Sequence, residues 1–396
     1  MGTGVAQVLP FLATPLLTRL FIEEDFALYT SFFAIASIFA VGVGGKYQMA
    51  IVLPKKDDDA NKLFTLSIYI TLAYSLVIAL IFILFYRYLS ADLGDVLYYV
   101  PLYVLFYGIW SSFTNLSIRH KTFKHNAFAK VIQSIGYMVT AVGLGIAKFT
   151  LYGLVLAKIM GTLASWLYLF KKSFIEFRLI ELKELKKVAK EFIDFPKYGV
   201  APAFLNTISS QALILILTKF YTTDDLGYFG LTYMVLSAPL GLIGTSYGDV
   251  FFQKIASLLN DKKFKAALEF FKKSAWALFA MGLPICIVLY FFGEDIFALV
   301  FGKKWIRSGE FAAILAFSFL IKLVVSPLSS IFNATNRLKI SSVWQTLYFL
   351  TTFLTLGLSA YVFQCGVEEL LYIYVIHELI LYSLYFLLEY RTLQKF

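Results

Sequence analysis

The chain has 396 residues, 60% of them hydrophobic and only 15% charged, with a mean hydropathy of +0.76 and a formal net charge of +10. This composition lies well outside that of a soluble globular domain and predicts an all-α integral membrane protein, since a helix crossing hydrocarbon satisfies its own backbone hydrogen bonds. Nucleic acid is excluded as a partner despite the positive charge, because reading it requires a basic face on a water-soluble domain.

A spanning helix needs about 20 mostly apolar residues, and twelve segments meet that length. The first runs from about Gly2 to Phe21, barely long enough to span, and the second from Phe26 to Gly45. A connection from Lys46 to Asp59 leads to a third helix near Leu63 to Phe85. The fourth covers Leu97 to Ile118, and the fifth and sixth, about Ala129 to Ala147 and Leu151 to Phe170, are joined by a short turn. The longest polar stretch, Lys171 to Lys197, places Leu182, Leu185, Val188, Ala189 and Phe192 three or four apart among lysines, the pattern of an amphipathic helix lying on the membrane surface. Six more helices follow, near Tyr198 to Leu217, Leu226 to Tyr247, Ser274 to Phe292, Phe311 to Phe332, Ile340 to Phe363 and Leu370 to Leu388. Between the second and third of these, Phe264, Ala267, Leu268 and Phe271 amid lysines predict another surface helix.

The two halves share a repeat. Leu17-Thr18-Arg19 through Asp25 to Tyr29 returns two hundred residues later as Leu217-Thr218-Lys219 through Asp225 to Phe229, and the register holds at Ser37/Ser237, Gly44/Gly244 and Tyr47/Tyr247. A weak repeat at half the chain length marks a doubled bundle. The expected organisation is a six-helix bundle over residues 1–170, a linker helix over 171–197 and a second six-helix bundle over 198–396. An even number of helices per half makes the two pseudo-symmetric copies parallel.

Orientation follows from Lys and Arg in alternate loops. With the N-terminus inside, the inner loops hold 26 of the 35 basic residues and the outer loops 7, among them Arg19, Arg87, Lys148 and Lys219, so both termini are expected to be cytoplasmic. The basic inner face, including Arg178 and the lysines after it, would meet anionic membrane lipids.

Lys158, Lys322 and Glu378 sit away from the expected helix ends, where each charge costs about 2.5–3.5 kcal/mol on insertion scales, so they should face protein or water. Either lysine could attract an anionic cargo group and Glu378 could couple transport to an ion. The plainer alternative is a structural pair of Lys322 with Glu378. His377 reads as a hydrogen-bonded packing residue. Lys46 and Arg119, at inner helix ends, could receive a substrate phosphate or be ordinary inward-facing bases. No His/Cys/Asp/Glu cluster has metal spacing, no phosphate loop is present, and three histidines offer no catalytic triad, so no cofactor and no enzymatic site are expected. Cys286 and Cys365 read as packing residues.

Several stretches carry a family resemblance. Gly2-Thr3-Gly4-Val5-Ala6-Gln7-Val8-Leu9-Pro10, the run Thr18-Arg19-Leu20-Phe21 with Asp25-Phe26, and Lys46-Tyr47-Gln48-Met49-Ala50 through Lys55 resemble the first third of bacterial oligosaccharide flippases of the polysaccharide transporter family. These flippases belong to the multidrug/oligosaccharidyl-lipid/polysaccharide exporter (MOP) superfamily. Phe195-Pro196-Lys197-Tyr198, Leu205 to Gln211, Ser237 to Gly244 and Val250-Phe251-Phe252-Gln253 look like its central block, and Ser326-Pro327-Leu328-Ser329 like its tenth-helix motif. The family often has Arg-Tyr-Glu where this chain has Lys46-Tyr47-Gln48.

The resemblance implies translocation of a polyprenyl-pyrophosphate-linked oligosaccharide from the inner to the outer leaflet of a bacterial inner membrane. The cargo would supply O-antigen or another surface polysaccharide, alongside other polysaccharide-assembly proteins. It further implies a cavity lined by residues matching Gln7, Asn206, Ser209, Ser210 and Gln211; interhelical hydrogen bonding is the other use for such side chains. Two charges on the cargo moving outward across an inside-negative potential would gain roughly 2.3 kcal/mol per charge per 100 mV, so ion coupling stays open. A drug exporter of the same superfamily is the nearest alternative, and a membrane polysaccharide polymerase or glycosyltransferase the next.

Overall fold

A computed structural model describes residues 2–86, 94–173 and 180–394, with the side chains of residues 2–5, Gln7, Thr245 and Leu338 left out. Arg87 and Arg178, counted above for orientation, lie outside the described residues. Among the described residues the regular structure is helical and no strand occurs.

The first compact unit is Met1–Lys219. It opens with α1 (Gly2–Leu20) and α2 (Glu23–Ala40), after which Gly44 and Gly45 take left-handed φ values of 58° and 56° within a 3-10 turn, Val43–Lys46. Only glycine adopts such angles freely, and the chain bends by 45° between α2 and the stretch formed by the turn and α3 (Tyr47–Ala50). Next come α4 (Asp57–Leu84), α5 (Tyr99–Arg119), α6 (Phe123–Ile146), α7 (Gly153–Lys172), α8 (Leu182–Glu191) and α9 (Asp194–Phe220). The second unit, Phe220–Phe396, contains α10 (Thr223–Asn260), α11 (Phe264–Phe301), α12 (Ile306–Val325), α13 (Ile331–Ala334), α14 (Leu338–Gly357) and α15 (Val367–Gln394). A 3-10 turn over Ser326–Ser330, containing Pro327, breaks α12 from α13.

Nine helical stretches among the described residues are long and apolar enough to cross a membrane, and the bent α2–α3 pair makes ten. Their outer faces carry Leu76, Leu80, Ile83 and Leu84 on α4 and Tyr290, Phe291, Phe292 and Leu299 on α11, all exposed. Large apolar side chains turned outward along whole helices fit lipid as the surrounding solvent. The chain is therefore an all-α, multi-pass membrane protein. Two of the twelve expected spans are not among these ten: α1, of which Val8–Leu20 is the continuous stretch described with its side chains, and α14, which carries Ser341, Ser342, Gln345, Thr346, Thr351 and Thr352.

The internal repeat has a local structural counterpart. α1 ends at Leu20 and α2 begins at Glu23, while α9 ends at Phe220 and α10 begins at Thr223, the same offset of two hundred. At the first turn Asp25 Oδ2 accepts from the Ile22 amide at 3.0 Å; at the second, Thr222 Oγ1 accepts from the Asp225 amide at 3.1 Å. Both copies thus satisfy an otherwise unpaired donor at a helix start, an interaction that contributes about 0.5–2 kcal/mol.

Packing divides the chain differently from the repeat, because α9 belongs to the first unit. Leu215 packs against the cluster built on Phe32, Val100 and Val104, and Ser31 Oγ lies 3.1 Å from Thr218 Oγ1.

Two surface helices differ from expectation. The apolar stripe of α8 docks on protein: Val188 joins Leu63, Phe64 and Ala60, and Tyr47 donates its hydroxyl to Ala189 O at 3.0 Å. Lys183, Lys186, Lys187 and Lys190 stay exposed. The segment from Phe264 to Phe271 is the first part of α11, not a separate helix. No breaker interrupts it before Ser274, and burial of Ala267 and Phe271 in the second unit's core holds the continuous helix.

Close helix approach in the second unit depends on glycine. A Cβ on Gly309 of α12 would lie 2.5 Å from Gly293 O and 2.6 Å from Glu294 Cα of α11, backbone that cannot swing aside. Gly309→Ala is expected to lower stability by about 1–3 kcal/mol through overpacking. Gly143→Ala on α6, where nothing lies within 4 Å, should be neutral or stabilising. Thermal unfolding of the two purified variants checks the contrast.

Candidate functional site

Each unit holds one intramembrane lysine, and their surroundings differ. In the first unit Lys158, in the second turn of α7, is half-buried with its ammonium 4.8 Å from the centre of the Phe33 ring. Phe33 belongs to an aromatic group drawn from three further helices: it stacks on Tyr29 at 6.1 Å and meets Tyr103 edge-on at 6.5 Å, Tyr29 lies 6.4 Å from Tyr137, and Tyr103 stacks on Tyr107 at 5.8 Å. Among the described residues no carboxylate forms an ion pair with Lys158. The aromatic face offsets part of its charge, about 0.5–2 kcal/mol for such a contact, and leaves a net positive centre inside the bundle. Chemically this is a place for an anion.

In the second unit Lys322 is neutralised. Its Nζ lies 2.7 Å from Glu378 Oε2 and donates to the Tyr374 hydroxyl at 2.7 Å. Glu378 is fully buried and accepts from the Tyr348 hydroxyl at 2.7 Å. His377 Nε2 lies 3.1 Å from Thr351 Oγ1. Lys322 also sits in the last turn of α12, where unpaired carbonyls favour a cation. The geometry is that of a closed, hydrogen-bonded ion pair spanning α12, α14 and α15.

Arg119 is committed locally. Its guanidinium binds Asp57 Oδ1 through Nε at 3.0 Å and Nη2 at 2.7 Å, while Nη1 donates to Pro54 O at 2.7 Å and to Ile51 O at 3.3 Å. It pins the loop between α3 and α4 to the end of α5. Hydrogen bonds to charged groups contribute about 1.5–3 kcal/mol, so Arg119→Ala should raise opening of this loop at least about tenfold, read as faster proteolytic cleavage between Ile51 and Asp57. Arg119→Lys should not restore it, because an ammonium lacks the planar fork.

The remaining candidates lie on α3's approach and on α9. Lys46 is half-buried at a left-handed φ of 65°, its stem running past Gly199. Asn206 and Ser210 are exposed one turn apart on α9, with Ser210 donating to Thr207 O. Ser209 and Gln211 are buried; Ser209 donates to Leu205 O at 2.7 Å, and Gln211 Oε1 has no hydrogen-bond partner among the described residues. The side chain of Gln7 is outside the described residues, although its backbone lies in α1. The structure therefore brings Lys322 together with Glu378 and surrounds Lys158 with aromatic rings, but gives Arg119 and Ser209 local hydrogen-bonding partners.

Sequence reasoning passed over the tyrosines. Tyr103 and Tyr107 are one helical turn apart, as are Tyr374, Glu378 and Tyr382. That spacing signals a common face, but not which lysine it meets. Among the described residues no group of three or more His, Cys, Asp or Glu is placed to hold a metal ion.

A family model described as "Polysaccharide biosynthesis protein" matches residues 16–310. The teichuronic acid biosynthesis protein TuaB of Bacillus subtilis (strain 168) is 21% identical over 157 residues, which is 40% of this chain and 32% of that protein. The match thus spans about a third of the length of that curated relative. Among solved structures, an inward-facing multidrug resistance MATE family transporter of the MOP superfamily superposes with a TM-score of 0.78 at 13% identity, covering 98% of this chain and 96% of that one. The lipid II flippase MurJ in an inward closed conformation gives 0.77 at 15% identity, covering 98% and 86%. The fold of this chain is that of these transporters. Taken with the family match over most of its length, the chain belongs to the polysaccharide biosynthesis protein family, on the fold of the MOP superfamily.

Proposed function

We propose that this chain is a flippase that moves a polyprenyl-pyrophosphate-linked oligosaccharide from the inner to the outer leaflet of a bacterial inner membrane by alternating access, for assembly of a surface polysaccharide. Both termini would be cytoplasmic, and the repeat supports two six-helix halves over 1–170 and 198–396 joined by 171–197. The observation that carries the reading is Lys158: a half-buried cation with no ion-pairing carboxylate among the described residues, set among aromatic rings within the membrane-embedded bundle. A pyrophosphate would supply the missing anion, and tyrosine faces and hydroxyls suit sugar rings, which present both apolar and hydrogen-bonding surfaces. The family match supports polysaccharide assembly, and the fold is one that a lipid II flippase shares.

In this scheme Asn206, Ser210 and Lys46 would border the hydrated route, and the Lys322–Glu378 pair would hold the second unit together. The exposed lysines of α8 would meet anionic lipids of the inner leaflet. Export of organic cations, the second reading on this fold, is disfavoured by the same uncompensated lysine, which repels a cationic cargo. The test is deletion of the chain with lipid analysis. Complete lipid-linked repeat units should accumulate on the inner leaflet, whereas loss of the units themselves would point to synthesis and contradict flipping.

A further inference from the structure

Glu389, near the C-terminal end of α15, is fully buried, and among the described residues neither of its carboxylate oxygens has a hydrogen-bond partner. Its neighbours along the helix, Tyr385 and Leu393, belong to the aromatic core with Phe251, Phe271, Phe332 and Trp344. Tyr385 stacks on Trp344 at 3.9 Å and lies 5.3 Å from Phe332.

An ionised carboxylate left dry and unpaired is costly enough that such groups neutralise instead. Charged residues on the packed elements do not compensate it. Lys272, Lys273 and Glu269 on α11, Lys254 on α10, Lys339 on α14 and Arg391 on α15 are exposed, and Arg337 is half-buried. Lys272 directs its ammonium over the Tyr390 ring at 5.5 Å. The nearby titratable hydroxyl is that of Tyr385, 3.4 Å from Ser341 Oγ on α14. A metal ion would require several oxygen ligands, and among the described residues no group of three or more His, Cys, Asp or Glu is placed to hold one. The ligand chemistry that fits two bare oxygens in an apolar cluster is a single proton.

The residue also ends a row. Tyr374, Glu378, Tyr382, Tyr385 and Glu389 follow one another at three- and four-residue steps, one face of α15 leading from the Lys322 ion pair to this carboxyl. One acid on that face is matched by a lysine, and the other has no counter-charge bonded to it among the described residues.

We propose that Glu389 is a proton-binding site, loaded in this conformation, whose discharge releases the C-terminal end of α15 from the aromatic core. Proton loss leaves a carboxylate that the core cannot hold, so the helix end must move until water reaches the oxygens. Proton uptake reverses the movement. The inference goes beyond flipping and stands without it, since its test needs no cargo.

The experiment uses the full chain in lipid nanodiscs. At neutral pH the infrared spectrum should contain a protonated-carboxyl band equivalent to one group per chain. Glu389→Gln should remove it, Glu389→Asp should shift it, and Glu269→Gln, whose acid is exposed on α11, should leave it in place. On raising the pH, amide hydrogen exchange over residues 385–394 should accelerate at least about tenfold more in the wild-type chain than in Glu389→Gln, which imitates the protonated form at every pH. Absence of the band, its survival in Glu389→Gln, or equal acceleration in both proteins would overturn the proposal.

Discussion

Glu378→Gln is expected to destabilise the second unit by about 3–5 kcal/mol, the cost of leaving one partner of a buried ion pair uncompensated. The geometry behind the figure is direct: Glu378 is fully buried, Lys322 Nζ lies 2.7 Å from its Oε2, and the Tyr348 and Tyr374 hydroxyls complete the cluster. Lys322→Met should cost a similar amount, since it strands the carboxylate. Replacing both residues by apolar ones, Lys322→Met with Glu378→Leu, should recover most of the loss, because the penalty belongs to the unpaired charge and not to absence of the pair. Exchanging the two charges should also restore folding. Unfolding of the single and double variants, followed by heat in detergent, measures the coupling. Intact transport in a stable double variant would assign the pair to architecture, and loss of transport there would assign it a direct role.

Lys158 should behave in the opposite way. Its charge meets the Phe33 ring and no ion-pairing carboxylate among the described residues, so Lys158→Met removes a poorly compensated intramembrane cation and should leave stability unchanged or raised. Transport should fall at least about thirtyfold, the equivalent of about 2 kcal/mol for loss of a desolvated charge contact to an anionic group. Lys158→Arg should retain much of the activity, because a guanidinium also lies well on an aromatic face. Initial rates in sealed vesicles, set beside unfolding midpoints of the same preparations, separate the two effects. Equal activity of Lys158→Met and wild type would remove this lysine from the route.

The parts of this structure legible in the sequence are those that local pattern encodes. Apolar runs located the helices, and the doubled Leu-Thr-base…Asp stretch marked two equivalent helix turns, where Asp25 and Thr222 cap the starts of α2 and α10. Boundaries failed where the core continues a helix beyond its lipid-crossing part. Phe251 and Ile255 extend α10, while Ala267 and Phe271 join an expected surface helix to α11. The amphipathic stripe of α8 was readable, but the surface it covers was not, because Leu63 and Phe64 come from a helix far away in sequence.

At the candidate sites, a lysine and a glutamate inside two spans of the same half foretold the pair, since each needs a counter-charge. The tyrosine surroundings of Lys158 could not be read, because Tyr29, Tyr103 and Tyr137 come from three separate helices. The hold of Asp57 on Arg119 could not be read either, because the two residues stand 62 apart in sequence. Glu389 was passed over because the last span was expected to stop at Leu388, which placed the acid in water. The helix instead runs on to Gln394, with Tyr385, Thr392 and Leu393 buried around it.

The most direct measurement of the central claim is leaflet exchange of a polyprenyl-pyrophosphate-linked oligosaccharide in vesicles containing only this protein. Its sugar headgroup, loaded in one leaflet, should become accessible to a membrane-impermeant sugar-modifying enzyme on the opposite side in proportion to the protein present. Headgroups that stay in the loaded leaflet, with folded protein in sealed vesicles across an imposed potential or proton gradient, would contradict it.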